Sequence, residues 1–246
     1  MRIDQAYVSE SVNDFDWFNR LNVKPYYDSM KPCLFIGVYS DKDIEVIKNH
    51  YSKALILWCG YDSMMWDDFD IFKRDNVINI TGSKIMQQRF KEFNVNTVFS
   101  NPCLITENIY QQKTAHKIFA YCPATSNDYH RMDIISELQL KYDIILADNK
   151  YNQEQWHQGA KYEIYNECYI GLVLNNYCGG AQTIMELSMQ GKYCVTNTQD
   201  FDNCLSWNSI EDIENHINNP NFKQLNDNLV NFNEFYKFEP EWLYIN

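Results

Sequence analysis

The stretch YIGLVLNNYCGGAQTIMELSMQGKYCVTN, residues 169–197, decides the fold class. It opens with an apolar run and passes through a polar loop that contains two glycines. A segment of helical pattern follows around residues 183–190, and a second apolar run comes after Gly191. Strand, loop, helix and strand in this order are typical of a parallel α/β sheet, and Gly191 is expected to end the helix as its C-cap.

The loop in this stretch also predicts a ligand site. Glycines lack a Cβ and let a ligand approach the backbone closely, and the helix N-terminus that follows favours an anion such as a diphosphate. Glu186 lies about one turn into the helix, where it could accept hydrogen bonds from sugar or ribose hydroxyls; the alternative is that it complements the helix dipole. Gln182 and Thr183 are either ligand contacts or helix caps. The predicted binding residues of the stretch are Cys178, Gly179, Gly180, Ala181, Gln182, Thr183 and Glu186.

Working outward, apolar runs alternate with helical segments in two successive sets. The first set covers the runs at 33–39, 54–60, 77–81 and 96–102, with helices expected around 42–51 and 83–93. The second set covers the runs at 117–122, 142–147, 169–174 and 193–197, with helices expected around 132–141, 153–168 and 183–190. Two sets predict two Rossmann-like domains, residues 1–112 and 113–246, joined by a linker at 106–114. From Ser209 the chain is expected to be helical to its end, as a tail that could cross back to the first domain.

Composition excludes some partners. The 246 residues carry 33 Asp and Glu against 21 Lys and Arg, a net charge of -12, which disfavours nucleic acid and anionic membranes as partners. No apolar stretch approaches the roughly 20 residues that a membrane span needs, so no integral membrane segment is expected. No signal peptide is visible in the first residues, and the eight cysteines include no C-x-x-C pair. Both observations favour a cytoplasmic location.

The 169–197 stretch resembles the donor-binding motif of glycosyltransferase family 4, whose members include short forms in large DNA viruses. That motif has a Glu, a glycine loop, a second Glu seven residues further on, and a helix that ends in Gly before a Val-rich strand. Glu186, Gly191 and the strand at 193–197 match its second part, whereas Cys178 stands where the first Glu is expected. Three other segments resemble further parts of the family in the same order along the chain: Ser83 with NVNTVFSNP (94–102), KIFAYCP (117–123) and LSWNSIEDIENHI (205–217).

This resemblance implies a GT-B glycosyltransferase that moves a sugar from a nucleotide diphosphate sugar to a glycan or other hydroxyl acceptor. It implies retention of anomeric configuration without a metal or cofactor, and for a viral protein the host cytoplasm as the location. Cys178 supports a second hypothesis, a non-catalytic nucleotide-sugar- or glycan-binding protein of the same fold. A nucleotide-sugar epimerase or dehydrogenase is a third, although no G-x-G-x-x-G follows an early strand.

The remaining candidate residues lie in loops that follow predicted strands. Thr125 and Ser126 come after the run at 117–122, at the edge where open α/β sheets bind ligands. Arg131 either neutralises phosphate or is a solvated helix residue, and Asp62 is a weak candidate for a catalytic base. D-x-D tripeptides at 14–16, 41–43, 68–70 and 200–202 resemble a metal signature, but such tripeptides are frequent by chance in an acidic chain, so no metal site is predicted.

Overall fold

The computed structural model describes residues 2–15, 17–100, 115–122, 130–147, 160–175, 181–199 and 201–230. These residues form two α/β units, the first containing the described residues up to 100 and the second those from 115 onward. Each unit contains one parallel sheet, which confirms the predicted α/β class with two Rossmann-like sheets. The predicted boundary at 112/113 and the linker at 106–114 lie outside the described residues.

The first unit contains a six-stranded sheet in the order β2-β1-β3-β4-β5-β6, with every neighbouring pair parallel. Its strands are β1 Gln5–Val8, β2 Lys24–Pro25, β3 Cys33–Ile36, β4 Ala54–Trp58, β5 Val77–Thr81 and β6 Thr97–Phe99. Its α-helices are Trp17–Leu21, Asp41–Lys48 and Lys84–Glu92, and its 3-10 helices are Glu10–Phe15, Tyr61–Met64 and Asp70–Lys73.

Strands β3 and β4 are buried along their whole length, as expected for central strands of a sheet covered on both faces. The apolar run at 33–39 is longer than β3 because Gly37 has a φ of +73°, which turns the chain out of the strand. Ser83 begins the Lys84–Glu92 helix by accepting a hydrogen bond from the Met86 N–H. The local pattern therefore placed these elements to within a few residues.

Strand β1 was not predicted, although it lies inside the sheet between β2 and β3. Its first residue, Gln5, is fully buried, and the side-chain amide pairs with main-chain groups of Tyr27, Asp28 and Lys31. A polar residue at a buried position interrupts the apolar run by which strands are recognised. The satisfied amide is the reason that the buried position tolerates it.

The second unit contains a five-stranded parallel sheet in the order β11-β10-β9-β7-β8. Its strands are β7 Lys117–Tyr121, β8 Ile144–Ala147, β9 Cys168–Leu172, β10 Tyr193–Val195 and β11 Cys204–Leu205. Its α-helices are Met132–Gln139, Ala160–Glu167, Ala181–Met189, Ile210–Asn218 and Asp227–Val230, and a 3-10 helix spans Pro220–Lys223.

The predicted stop at Gly191 is confirmed. Its φ is +71°, and the N–H groups of Gly191 and Lys192 bond to the carbonyl oxygens of Ser188 and Leu187. Main-chain atoms of Asn226 lie where a Cβ on Gly191 would point, the nearest at 3.1 Å. Both the backbone conformation and the space around it therefore require glycine.

The chain from Ser209, expected to be helical to its end, forms two α-helices separated by a 3-10 helix in its described part. Ser209 and Asp212 form a capping box that begins the Ile210–Asn218 helix, but Pro220 then opens a single 3-10 turn. Proline lacks the N–H that a continuing helix would use, so helix resumes only at Asp227. Residues after 230, where the rest of the predicted tail falls, lie outside the described chain.

Candidate functional site

The second sheet contains a topological switch point between β7 and β9. From β7 the chain crosses to β8 on one side, and from β8 it crosses back to β9 on the other side. Ala120 of β7 is paired with Leu172 of β9, so these two strands end next to each other. Open α/β sheets bind ligands in the crevice beyond the carboxyl ends of such a pair.

Both loops that the sequence singled out begin at this switch point. Thr125 and Ser126 follow β7 in the sequence, and Cys178, Gly179 and Gly180 follow β9. All five residues lie outside the described residues. The topology nevertheless starts both loops from neighbouring strand ends, which no local pattern could indicate.

The helix after the glycine loop begins at Ala181, earlier than predicted, and runs to Met189. Gln182 is half-buried, and its Nε2 donates a 3.0 Å hydrogen bond to Oε1 of Glu186, one turn further along. Thr183 is half-buried in the same turn. The Gln182 amide is thus directed along the helix toward Glu186, whereas an N-cap side chain turns back onto the first N–H groups.

Glu186 is buried, with only 1% of its surface exposed. Besides the bond from Gln182, its Oε2 accepts a 2.9 Å hydrogen bond from the hydroxyl of Tyr165. It is the sixth residue of the helix, beyond the first turn where a carboxylate best complements the dipole. Tyr165 and Gln182 therefore hold the two oxygens of this buried carboxylate in a fixed orientation.

Asn175 follows β9 and was missed by the sequence analysis. It is fully buried, and neither Oδ1 nor Nδ2 has a hydrogen-bond partner in the part of the chain that the structure describes. The sequence feature that could have identified Asn175 is its position as the first polar residue after the apolar run at 168–174. Polar residues also follow β10, where the hydroxyls of Thr196 and Thr198, both buried, lie 3.0 Å apart.

Arg131 stands immediately before the Met132–Gln139 helix with a φ of +56°. Its guanidinium bonds both carboxylate oxygens of Asp133, at 2.9 and 3.0 Å, and lies 5.7 Å from the ring centre of Trp207. This bond lowers the pKa of Asp133. Arg131 borders a cavity of about 270 Å³, but its charge is compensated there by Asp133. The structure therefore places it as an ion-paired residue at a helix start.

Asp62 is fully buried in the first unit, at the carboxyl ends of β3 and β4. Oδ1 accepts hydrogen bonds from the N–H groups of Gly60 and Ser63, and Oδ2 from those of Val38 and Cys59, at 2.8 to 3.2 Å. Burial raises the pKa of Asp62 to about 6, and the amide donors oppose that rise. Because four amides take its acceptor positions, the geometry favours a structural carboxylate over a base.

The first sheet has its own switch point, between β1 and β3. Asp43 is buried there and accepts hydrogen bonds from the hydroxyls of Tyr7 and Ser9 and from the N–H groups of Tyr39 and Ser40. The Asp43 carboxylate is therefore satisfied by the unit itself. The two switch points differ in this respect, since Asn175 in the second unit has no hydrogen-bond partner within the described ranges.

Lys192 is a second buried polar residue that the sequence analysis missed. It is 1% exposed, and its Nζ donates a hydrogen bond to the carbonyl oxygen of Tyr165 in the last turn of the Ala160–Glu167 helix. A cation at this end complements the helix dipole, while burial lowers the pKa of Lys192 to about 8. It precedes β10, at the edge of the sheet opposite to the switch-point crevice.

No group of three or more His, Cys, Asp and Glu side chains that could hold a metal ion occurs within the described ranges. Of the D-x-D carboxylates, Asp43 is satisfied internally, Asp68 accepts from the Asp70 N–H, and Asp200 lies outside those ranges. The six cysteines that the structure describes form no disulfide bond. None of the helices described is long and apolar enough to cross a bilayer.

No protein-family model matches the chain, and no curated protein matches it.

Proposed function

We propose that this chain is a GT-B glycosyltransferase that moves a sugar from a nucleotide diphosphate sugar to a glycan or other hydroxyl acceptor. One observation carries the proposal: a switch point in the second parallel sheet at which β7 and β9 end side by side. After β9 the sequence contains Gly179 and Gly180, and the Ala181–Met189 helix starts directly after them. A nucleotide binds at this position of an open α/β sheet, with its phosphates toward a helix N-terminus.

The contrast between the two units supports the second as the donor-binding unit. At the first switch point, four donors satisfy the carboxylate of Asp43. At the second, Asn175 is buried without a partner among the described residues, and Tyr165 and Gln182 orient the buried carboxylate of Glu186. Buried polar groups with unused capacity are a common feature of ligand sites.

In the proposed reaction, N–H groups of the first helical turn stabilise the charge that develops on the departing diphosphate. Glu186 accepts hydrogen bonds from hydroxyls of the donor and orients it. The acceptor oxygen forms a bond to the anomeric carbon while the bond from that carbon to the diphosphate breaks, the nucleoside diphosphate leaves with the electron pair, and the hydroxyl proton passes to the departing diphosphate. We assign no base, since the four amides on Asp62 leave it no free acceptor position.

A non-catalytic nucleotide-sugar- or glycan-binding protein of the same fold is the second candidate. Two observations favour it. Cys178 stands where the family that the sequence resembles has a Glu. The carboxylate of Asp62 already accepts hydrogen bonds from backbone N–H groups of nearby residues. Either candidate requires the same donor site.

Calorimetry with uridine, guanosine and adenosine diphosphates and with NAD, all in excess EDTA, tests the donor site. We expect one nucleoside diphosphate to bind without metal and NAD not to bind. Release of nucleoside diphosphate from the matching nucleotide sugar then separates transferase from binding protein. Binding of NAD alone would contradict the proposal, as would binding that EDTA abolishes and manganese restores.

A further inference from the structure

Asn175 is a buried amide whose hydrogen-bonding capacity the described protein does not use. It is fully buried, and neither Oδ1 nor Nδ2 has a partner in the described residues. A primary amide can donate two hydrogen bonds and accept two. Burying these groups without partners is unfavourable, so native proteins rarely keep them without a ligand, an ion or a water.

The position of Asn175 places this unused capacity at the switch point. It comes three residues after Leu172, the last residue of β9, which is paired with Ala120 of β7 and Val195 of β10. The ladder to β10 continues through the bond from the Val173 N–H to the Val195 carbonyl oxygen. Asn175 therefore lies beyond the carboxyl end of the central strand, where open α/β sheets bind ligands.

Gln190 is a second buried side-chain amide without hydrogen-bond partners among the described residues, and it lies at the other end of the same unit. It is fully buried, and its Oε1 and Nε2 have no partner within the described ranges. It follows the Ala181–Met189 helix, which runs back from the carboxyl edge of the sheet to the start of β10. Gln190 thus provides an internal comparison that lies away from the crevice.

The chemistry of an amide restricts the group that it can bind. Oδ1 needs a hydrogen-bond donor, which the oxygens of an ionised diphosphate cannot supply, whereas a hydroxyl can both donate and accept. Strand β10 lies beside β9, and the buried hydroxyls of Thr196 and Thr198 follow it in the chain. The amide of Asn175 therefore suits a sugar hydroxyl better than an anion.

We propose that Asn175 is a specificity-determining residue whose amide binds hydroxyl groups of the sugar nucleotide. This inference rests on the proposed function and names the part of the ligand that this residue recognises. The hydroxyls belong either to the ribose or to the transferred sugar. Ligand binding satisfies the amide, and the unliganded protein carries an unfavourable buried group in its place.

The test compares Asn175→Leu, which has the same number and branching of side-chain heavy atoms and no polar atoms, with Gln190→Met as the matched control. Unliganded, both variants are expected to melt at or above the wild-type temperature, by up to about 2–4 °C, because each removes an unsatisfied amide. Affinities of the wild type and the variants are then measured for the nucleoside diphosphate, its 2′-deoxy form and the nucleotide sugar. Asn175→Ala is included as a smaller substitution in case leucine does not fit.

Asn175→Leu and Asn175→Ala are expected to lose affinity by about tenfold or more, whereas Gln190→Met stays within about twofold of the wild type. Loss confined to the nucleotide sugar assigns Asn175 to the transferred sugar; loss for both ribonucleotides but not the deoxy form assigns it to the ribose. Wild-type affinity for all three ligands in both Asn175 variants would overturn this inference and leave the proposed function standing. Absence of any binding by the wild type would overturn the proposed function and this inference with it.

Discussion

The hydroxyl of Tyr165 donates a 2.9 Å hydrogen bond to Oε2 of Glu186, and this bond joins the helix before β9 to the helix after it. Both side chains are buried, with about 1% of each exposed. Gln182 holds the other carboxylate oxygen. Glu186 is therefore oriented by the protein, and a ligand would meet a carboxylate that is already in place.

Tyr165→Phe removes one donor from this buried carboxylate and leaves the ring in place. We expect the free energy of unfolding to fall by about 1–3 kcal/mol, as measured by urea denaturation. Tyr142→Phe is the control, because the Tyr142 hydroxyl accepts its bond from the exposed Asn218. An equal effect of both substitutions would contradict the special position of the Tyr165 hydroxyl.

Glu186→Gln tests the proposed contact with ribose. The wild type is expected to prefer ribose over 2′-deoxyribose nucleotides, since hydrogen bonds to a charged acceptor contribute about 1.5–3 kcal/mol each. The variant should bind roughly tenfold or more weakly and lose this preference, as measured by calorimetry. Glu167→Gln is the control, because Glu167 is a surface carboxylate paired with Lys117, and this variant should keep both the affinity and the ribose preference. A ribose preference that survives in Glu186→Gln would remove Glu186 from the site.

Asp62→Asn separates a structural role from a catalytic one. The asparagine amide directs N–H groups at backbone N–H groups that now bond the carboxylate, so unfolding should become easier by about 2 kcal/mol or more. Asp67→Asn, at an exposed position, should change stability by less than about 0.5 kcal/mol. If Asp62→Asn instead keeps wild-type stability and loses sugar transfer, the residue acts as a base.

Gly191→Ala is expected to destabilise the protein by at least about 1–2 kcal/mol, the cost of a left-handed conformation for a residue with a Cβ. The new Cβ would also meet main-chain atoms of Asn226 at 3.1 and 3.2 Å. Gly191→Asn adds the same Cβ but tolerates positive φ better, so it should lose less. Equal losses in thermal melts would show that the crowding, and not the φ, decides.

Comparison of the wild type with Lys192→Met tests how the free energy of unfolding changes with pH, and the pKa of Lys192 fixes the expected sign. Burial lowers the pKa of Lys192 to about 8, so between pH 8 and the unfolded value near 10.5 the unfolded chain binds more protons than the folded one. Wild-type stability should therefore gain up to about 3 kcal/mol relative to the variant as pH rises through this window. The nearby Cys168 thiol stays neutral for most of it, since burial raises its pKa to about 12. A constant difference from pH 7.5 to 10.5, measured by urea denaturation, would contradict the shift.

The sequence alone determined the elements whose signals are local. The apolar run at 77–81 is β5, Ser83 and Ser209 each begin a helix, and Gly191 ends one. These signals depend on backbone conformation and on hydrogen bonds within one turn, so neighbouring residues suffice to specify them. Strand β1 was not predicted, because the buried Gln5 takes its hydrogen-bond partners from a segment more than 20 residues away.

Only the tertiary structure decided the state of the buried polar residues. Glu186 was recognisable as a carboxylate on a helix, but its donor Tyr165 comes from a different helix, 21 residues earlier in the chain. Asn175 lacks a partner among the described residues, and Lys192 bonds to Tyr165, because of how the strands and helices of the second unit are arranged. Periodicity predicts which face of an element is buried; which donors and acceptors meet on that face depends on strand order and register, which bring distant segments together.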